Sequence, residues 1–196
     1  MITLCMDTSH IFLALALFDG EKLLAEEFSL CPKKQSEMIF PSLITMMDKA
    51  QLKPMDIDQV VISEGPGSYT GVRIAMSIAK VICALRDIPL YTINTLHLYA
   101  GLHTCRILLD ARSKRAYTAR FQDGEFVEEA SVKEISEIEL FDEECIGDAQ
   151  LIGLDQNYPN FIPHFMQLKT YWKIQENVHL VVPEYLKSQE EYMVKK

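Results

Sequence analysis

The chain has 196 residues, of which 48% are hydrophobic and 24% charged, and its formal net charge is −9. This length and composition are typical of a globular protein with one large domain or two small ones. The acidic balance argues against direct binding to a nucleic-acid backbone, because that binding depends mostly on Lys and Arg. The cysteines form no CxxC pair, which predicts reduced thiols in a cytoplasmic protein. We find neither a signal-peptide pattern nor an apolar run long enough to span a membrane, so we expect no membrane association.

The N-terminal part of the chain predicts three antiparallel strands. Asp19-Gly20 is the residue pair that two-residue β-hairpin turns favour, and apolar segments flank it. The polar residues Asp7, Thr8 and Ser9 form the corner between the first two strands. The predicted strands are residues 2–6, 11–18 and 22–28.

Two strand–helix units follow these strands. Residues 35–50 place an apolar stripe on one helical face, with Ser36 as the expected N-cap. Pro41 lies inside this segment and is expected to bend the helix or delay its start. The predicted order is βββαβαβ, with the later strands at 56–62 and 89–93 and the second helix at 70–85.

The most informative segment is the glycine-rich loop before the second helix. Backbone N–H groups at a helix start are unsatisfied and attract anions. The loop is not a P-loop, because Val72-Arg73 follows Gly71 where that motif requires Lys-Ser/Thr. We therefore favour a structural role, in which the glycines turn the chain sharply. The alternative is a nucleotide or anion loop that consists of Asp7, Thr8, Ser9, Gly65, Gly67 and Ser68.

The second helix is unusually apolar. Between Val72 and Leu85 its polar side chains are Arg73, Ser77 and Lys80. A helix that packs on one side of a sheet needs a narrower apolar arc, so this helix must be buried on more than one side. Either the first helix covers it, or a protein partner packs on both helices. The candidate partner-interface residues are Ile39, Leu43, Met46, Met47, Val72, Ala75, Met76, Ala79 and Cys83.

The second half of the chain predicts a smaller lobe. Asp123-Gly124 is a second hairpin signal, and the stretch between residues 123 and 144 is strongly acidic, which predicts a solvated face. We divide the chain into an N-terminal lobe, 1–100, and a C-terminal lobe, 101–196. The expected elements are strands at 105–109, 116–121, 125–129, 151–154 and 178–182, a helical segment at 132–140, and a C-terminal helix at 184–196 that packs back on the first lobe.

Several segments together resemble the TsaB (YeaZ) family. They are Asp7-Thr8-Ser9, Gln35-Ser36-Glu37, the run from Gly65 through Gly71 to Ile74, and Leu109-Asp110-Ala111-Arg112. The resemblance is specific over residues 1–100 and weak beyond about residue 121. It implies an α/β protein with the actin-like ATPase (ribonuclease H-like) fold. Each of two lobes would open with an antiparallel three-stranded meander, and the second lobe would be reduced.

The resemblance also implies a function. It implies a non-catalytic scaffold or activating subunit for the formation of N6-threonylcarbamoyladenosine at position 37 of tRNAs that read codons beginning with A. The chain would pair with a TsaD-like catalytic subunit through its first two helices, a TsaE-like ATPase would join the pair, and tRNA would be contacted only through the complex. Alone, the same surface would allow a homodimer.

No cofactor and no metal are expected. The TsaD-type metal site resembles two histidines at i and i+4 on a helix, and the helix at 35–50 contains no histidine. The alternative function is a small ATP-binding kinase-like or carbamoyl-transferring enzyme. A peptidase is a further alternative, for which these residues give no support.

Overall fold

In the computed structural model, residues 1–139 and 142–187 are described. The strands are β1 (Ile2–Asp7), β2 (Phe12–Asp19), β3 (Lys22–Leu30), β4 (Ile57–Ser63), β5 (Leu90–Ile93), β6 (Cys105–Asp110), β7 (Arg115–Gln122), β8 (Glu125–Glu134), β9 (Glu144–Gly147) and β10 (Lys173–Ile174). The α-helices are α1 (Gln35–Ala50), α2 (Tyr69–Arg86), α3 (Thr95–Ala100) and α4 (Ile162–Gln167).

The first sheet has six strands in the order β10-β5-β4-β1-β2-β3. The strands β1, β2 and β3 pair antiparallel, whereas β4 pairs parallel to β1 and β5 pairs parallel to β4. Both faces of this sheet are covered, which explains why β2 is a continuous apolar run rather than an alternating one. The predicted βββαβαβ order is confirmed.

The helices α1 and α2 cover the same face of the first sheet. They share one hydrophobic cluster with Leu13 and Leu15 of β2, whereas Phe12 and Ala14 face the opposite side, toward α3, α4 and the second sheet. The prediction of Ser36 as N-cap is wrong, because α1 begins one residue earlier and no side chain caps it. Pro41 lies inside α1 and does not end it.

The second sheet has the order β8-β7-β6-β9. Its strands β6, β7 and β8 form an antiparallel meander, so the prediction that each lobe opens in this way is confirmed. β9 joins in parallel to β6 and was not predicted. With four strands against six, the second sheet is the smaller.

Several predictions for the second half of the chain are wrong. The strand β8 extends to Glu134, and a 3-10 helix at Ile135–Glu137 stands where an amphipathic helix was predicted. The strands predicted at 151–154 and 178–182 are also replaced by 3-10 helices, at Ala149–Ile152 and Val178–Leu180. Of the predicted C-terminal helix, residues 188–196 lie outside the described residues, and residues 184–187 are not helical.

The division of the chain at residue 100 stays a prediction. The two sheets share a hydrophobic core, to which β2, α3, β6, β7 and α4 all contribute. In addition, the chain returns from the second lobe to the first, because β10 pairs with β5 at the edge of the first sheet. The segment after β10 also packs on the first lobe, where Val178 and Val181 join the cluster beneath α2.

Candidate functional site

The turn between β1 and β2 is interlocked with the glycine-rich loop. The Thr8 hydroxyl donates a hydrogen bond to the Gly71 carbonyl at 2.7 Å and accepts one from the Ala75 backbone N–H at 3.1 Å. The Ser68 N–H donates to the Ser9 carbonyl at 2.7 Å. Ser68 is also the N-cap of α2, since its hydroxyl accepts from the Gly71 N–H. The turn therefore fixes the start of α2.

The glycines of this loop are required by close backbone contacts. A Cβ atom at Gly67 would lie 2.5 Å from the Ser9 carbonyl oxygen, and one at Gly71 would lie 2.3 Å from the Thr8 carbonyl oxygen. Gly65 has φ +112, and a Cβ there would lie 2.6 Å from the Glu184 carbonyl oxygen. Each contact is shorter than side chains tolerate, so the loop sequence is explained by packing.

Asp7 lies beneath this interlock and is completely buried. Burial raises the pKa of its carboxyl group, while hydrogen bonds from Ser63 and Ser9 act in the opposite direction. Five buried side-chain atoms in the described part of the chain have no hydrogen-bond partner, and three of them belong to Asp7 and its surroundings: Asp7 Oδ2, Ser9 Oγ and the Tyr99 hydroxyl. The nucleotide or anion loop stays a prediction, and the enclosure of Asp7, Thr8 and Ser9 favours the structural role instead.

An open cleft of about 550 Å³ lies between the two lobes above this turn. Of the residues predicted for an anion loop, Gly67 and Ser68 line it. Its other wall is the turn from Asp110 to Ser113 in the second lobe. Arg112, Ser113 and Lys114 of that turn have φ values of 62°, 54° and 58°, in the left-handed region that residues other than glycine seldom adopt.

A polar cluster joins the lobes beside the cleft. His10 Nε2 lies 2.9 Å from Asp148 Oδ2 and 2.8 Å from the Tyr158 hydroxyl, which donates to Asp148 Oδ1 at 2.5 Å. The Asp110 N–H donates to Asp148 Oδ2 at 2.6 Å. Burial alone would raise the pKa of Asp148, but the hydrogen bond and electrostatic interaction with His10, together with the hydrogen bonds from Tyr158 and Asp110, hold it well below its usual range. Sequence analysis missed this cluster, because no local pattern connects residues so distant along the chain.

The structure places the predicted partner-interface residues on the inner sides of α1 and α2. All of them are at most 8% exposed, because they are the sides of α1 and α2 that pack on the first sheet. The richest apolar stripe of such a helix faces the core of its own chain. Their role as a partner interface stays a prediction, which this burial disfavours. They are Ile39, Leu43, Met46, Met47, Val72, Ala75, Met76, Ala79 and Cys83.

Other apolar side chains of the same helices are exposed. On α1, Phe40 is 58% and Ile44 is 63% exposed, and on α2, Val81 is 58% and Leu85 is 81% exposed. The buried sides of α1 and α2 pack on the same face of the sheet, and we call these four exposed side chains together the α1–α2 face. The residues named from sequence are thus the buried sides of α1 and α2, and contact of either helix with a partner stays a prediction.

The described residues, 1–139 and 142–187, contain no group of three or more His, Cys, Asp or Glu side chains placed to hold a metal ion. Within the same residues, no helix is sufficiently long and apolar to cross a membrane. The cysteines Cys5, Cys31, Cys83, Cys105 and Cys145 are all free thiols.

Comparisons with known proteins agree with this architecture. The family model described as "TsaD: tRNA N6-adenosine threonylcarbamoyltransferase" matches residues 29–155. The tRNA threonylcarbamoyladenosine biosynthesis protein TsaB of Bacillus subtilis (strain 168) is 32% identical over 127 residues, which are 62% of this chain and 56% of that protein. The protein of the same name from Escherichia coli (strain K12) is 29% identical over 132 residues, covering 64% of this chain and 57% of that protein. The matches span little more than half the length of these curated relatives.

Solved structures show the same fold over nearly the whole chain. YeaZ from Pseudomonas aeruginosa superposes with a TM-score of 0.73 at 18% identity, covering 94% of this chain and 99% of that one. A protein with similarity to peptidase YEAZ, also from Pseudomonas aeruginosa, gives a TM-score of 0.80 at 19% identity, covering 95% and 99%. At this identity the likeness concerns the fold, and it confirms the α/β fold class predicted from sequence.

Proposed function

The chain belongs to the TsaD family of tRNA N6-adenosine threonylcarbamoyltransferases, and on that premise we propose that it is a non-catalytic subunit of a tRNA-modifying complex. In this role it supports the formation of N6-threonylcarbamoyladenosine at position 37 of tRNAs that read codons beginning with A. Its curated relatives in Bacillus subtilis and Escherichia coli carry the name of that biosynthesis. The chain binds a TsaD-like catalytic subunit, and a TsaE-like ATPase joins the pair.

The observation that carries the proposal is the α1–α2 face. Large aliphatic and aromatic side chains that are more than half exposed are the usual anchors of a protein contact when several of them share one surface. Phe40 and Ile44 are one turn apart on α1, and Val81 and Leu85 are one turn apart on α2. A partner that packs across both helices would bury all four. The same surface supports a homodimer when the partner is absent.

The test is binding to the TsaD-like subunit from the same organism, measured by titration of the purified chains. We expect Ile44→Asp and Leu85→Asp each to raise the Kd at least tenfold, because each places a charge in an apolar contact. Both side chains are exposed, so both variants should keep the melting temperature of the parent chain. The matched control is Leu154→Asp, which changes a side chain that is 48% exposed in the second lobe.

If both variants bind the partner as tightly as the parent chain does, the α1–α2 face is not the interface. If the parent chain does not bind a TsaD-like subunit at all, the proposed function is wrong. The variants Ala75→Glu and Ala79→Glu are unsuitable here, since both alanines are completely buried and a charge at either would unfold the chain.

The non-catalytic role rests on the enclosed Asp7 turn and on the absence of histidine from the α1 sequence. It is tested by calorimetric titration with ATP and Mg²⁺. We expect no micromolar binding, and binding that disappears in Asp7→Ala would favour a kinase-like or carbamoyl-transferring enzyme instead. The net charge of −9 supports contact with tRNA only through the complex. The free thiols support a cytoplasmic protein.

A further inference from the structure

The last described residues of the chain cross both lobes on one side of the molecule. Asn177 starts this segment by accepting a hydrogen bond on its side chain from the His179 N–H at 3.0 Å. The segment then follows α2 toward its N-terminus and ends at Lys187, beside the cleft. We call residues 177–187 the C-terminal latch.

The first anchor of the latch is Lys80 of α2. Its ammonium group donates to the His179 carbonyl at 2.8 Å and to the Val181 carbonyl at 3.0 Å. Between these carbonyls the chain exposes Leu180, while Val181 turns inward and is only 7% exposed. Lys80 is one of the few polar side chains of α2. This side of the helix therefore contacts another part of the chain instead of solvent.

The middle of the latch lies against the glycine-rich loop. The Glu184 N–H donates to the Glu64 carbonyl at 2.7 Å, and the Asn94 side chain donates to Glu184 Oε2 at 2.9 Å. The close approach of the Glu184 carbonyl is what excludes a Cβ atom at Gly65. The first glycine of the loop therefore accommodates the latch rather than a ligand.

The end of the latch connects α2 to the second lobe. Arg73 Nε donates to the Tyr185 hydroxyl at 2.6 Å, and the Tyr185 ring stacks on Tyr69 with centroids 5.4 Å apart. Lys187 is buried, and its ammonium group donates to the Ala111 carbonyl in the turn that forms the far wall of the cleft. One short segment thus spans from α2 to the opposite lobe.

Most of the latch lies outside the core, which it contacts through Val178, Val181 and Leu186. Among residues 177–187, all of which the structure describes, only Val181 and Lys187 are buried. Segments with few buried apolar side chains open at a lower free energy than the core does. We propose that residues 177–187 form a detachable latch, which docks as one cooperative unit and holds the 110–115 turn of the second lobe against α2. Its release opens the interlobe cleft and uncovers one side of α2.

The test is amide hydrogen exchange of the full chain, measured by mass spectrometry for Lys80→Met and for the parent chain. We expect exchange to rise at least tenfold across all of residues 177–187 and also in residues 111–115, although Lys80 touches neither Lys187 nor that turn. Exchange of β1 and β2 should not change. The matched control is Lys49→Met on α1, which is exposed and should leave the latch protected.

Lys187→Met provides the reciprocal test at the other end. If the latch is one unit, this variant gives the same exchange profile as Lys80→Met, including faster exchange at residues 178–182. If each variant changes only the residues next to its own anchor, the contacts are independent and the latch is overturned. Unchanged exchange in both variants would overturn it as well. Should Lys80→Met destabilise the whole chain, seen as faster exchange in β1, Arg73→Met replaces it.

Discussion

The two lobes begin with the same three-stranded meander but are stabilised in different ways. In the first lobe, apolar side chains cover both faces of the sheet, and the turn after β1 is fixed by backbone contacts with Gly67 and Gly71. In the second lobe, β6 carries the buried Arg106, and the turn after β6 is held by Asp148 and Lys187. The first lobe therefore depends on close packing, and the second depends on charged groups that pair across long sequence distances.

This difference predicts which kind of substitution each lobe tolerates. Close packing is sensitive to added volume and insensitive to pH. Buried charged groups are sensitive to the loss of one partner, because the remaining charge is left unpaired in a low dielectric. Substitutions that remove charge or add volume should therefore distinguish the lobes.

The largest effect is expected for Arg106→Met. Arg106 is 1% exposed and lies 3.3 Å from Glu143 and 3.4 Å from Glu128, with Thr118 also within hydrogen-bond distance. Removal of the guanidinium group takes one of two cations from each carboxylate, with Arg120 remaining at Glu143 and Lys133 at Glu128, and leaves the Thr118 hydroxyl without this donor. We expect the free energy of unfolding to fall by about 3 kcal/mol, measured by urea denaturation at pH 7.

Arg112→Met is the matched control, since it makes the same chemical change at an exposed arginine of the second lobe. A loss below about 0.5 kcal/mol is expected there. Equal losses in the two variants would contradict a special role for Arg106. The acidic stretch predicted as a solvated face is thus partly a set of partners for this arginine, as the contacts of Glu128 and Glu143 show.

The second largest loss of stability is expected in the first lobe, on addition of one methyl group. Gly71→Ala places a Cβ atom 2.3 Å from the Thr8 carbonyl oxygen, and neither backbone segment has room to move without disturbing the start of α2. We expect a loss of about 2 kcal/mol, independent of pH between 5 and 8. Thermal denaturation across that range measures both statements.

Gly20→Ala separates this clash from the general cost of replacing a glycine. Gly20 has φ +59 and open space around it, so alanine there should cost about 1 kcal/mol from backbone strain alone. If Gly71→Ala is as stable as the parent chain, the interlock between the first turn and the glycine-rich loop does not hold α2 in place.

The difference between the two lobes also explains how much of each could be predicted from sequence. The first lobe was predicted almost element by element, because its signals are local: Asp19-Gly20 at a hairpin, an apolar stripe over residues 35–50, and glycines between a strand and a helix. What sequence could not give was the side of each helix that remains exposed. Both α1 and α2 are apolar on more than one side, and only the position of the sheet decides that Ala75 is buried and Leu85 is not.

The second lobe was predicted less well for a physical reason. In the second half of the chain β9, α4 and β10 are short, and the positions of the two strands depend on pairing with distant strands rather than on local pattern. The His10–Asp148 contact joins the first turn of the chain to the end of β9, and neither residue stands in a recognisable motif. Local periodicity cannot report such contacts, since they are formed only after the lobes pack.

The third largest loss of stability is expected at the contact between the lobes. Asp148→Asn keeps the shape of the side chain but removes the negative charge that faces His10 and replaces one acceptor oxygen by a donor. We expect a loss of about 1.5 kcal/mol at pH 7, measured by urea denaturation. The Tyr158 hydroxyl and the Asp110 N–H both donate to this carboxylate, so Asn leaves one of them without an acceptor.

The pH dependence of this loss has a definite sign. The pKa of Asp148 is lower in the folded chain than its ordinary value of 3.8, so its contribution to stability is present above that value and disappears as the pH falls through the folded-state pKa. The difference between Asp148→Asn and the parent chain should therefore shrink as the pH falls below about 4. A difference that still grows below about pH 4 would contradict the assignment.

The smallest change in stability is expected in the C-terminal latch. Burial raises the pKa of Glu184, and the nearby charge of Glu64 raises it further, while Lys173 and the hydrogen bond from Asn94 act in the opposite direction. Glu129 of β8 adds a weaker like charge. Because the folded-state pKa is raised, the favourable contribution of Glu184 is complete below its ordinary pKa of 4.5 and is lost as the pH rises through the folded-state value.

Glu184→Gln should therefore be neutral at low pH and stabilising at high pH. Glutamine resembles the protonated carboxyl group, so the variant and the parent chain should melt together near pH 4.5. At pH 8 the variant should be more stable by about 0.5 kcal/mol, a value kept small because the half-exposed carboxylate is partly screened by solvent. The same variant should slow amide exchange in residues 177–187 at pH 8 after correction for the intrinsic rate. If Glu184→Gln instead loosens the latch at pH 8, then the ionised carboxylate holds the latch in place, and the charge of Glu64 does not oppose its docking.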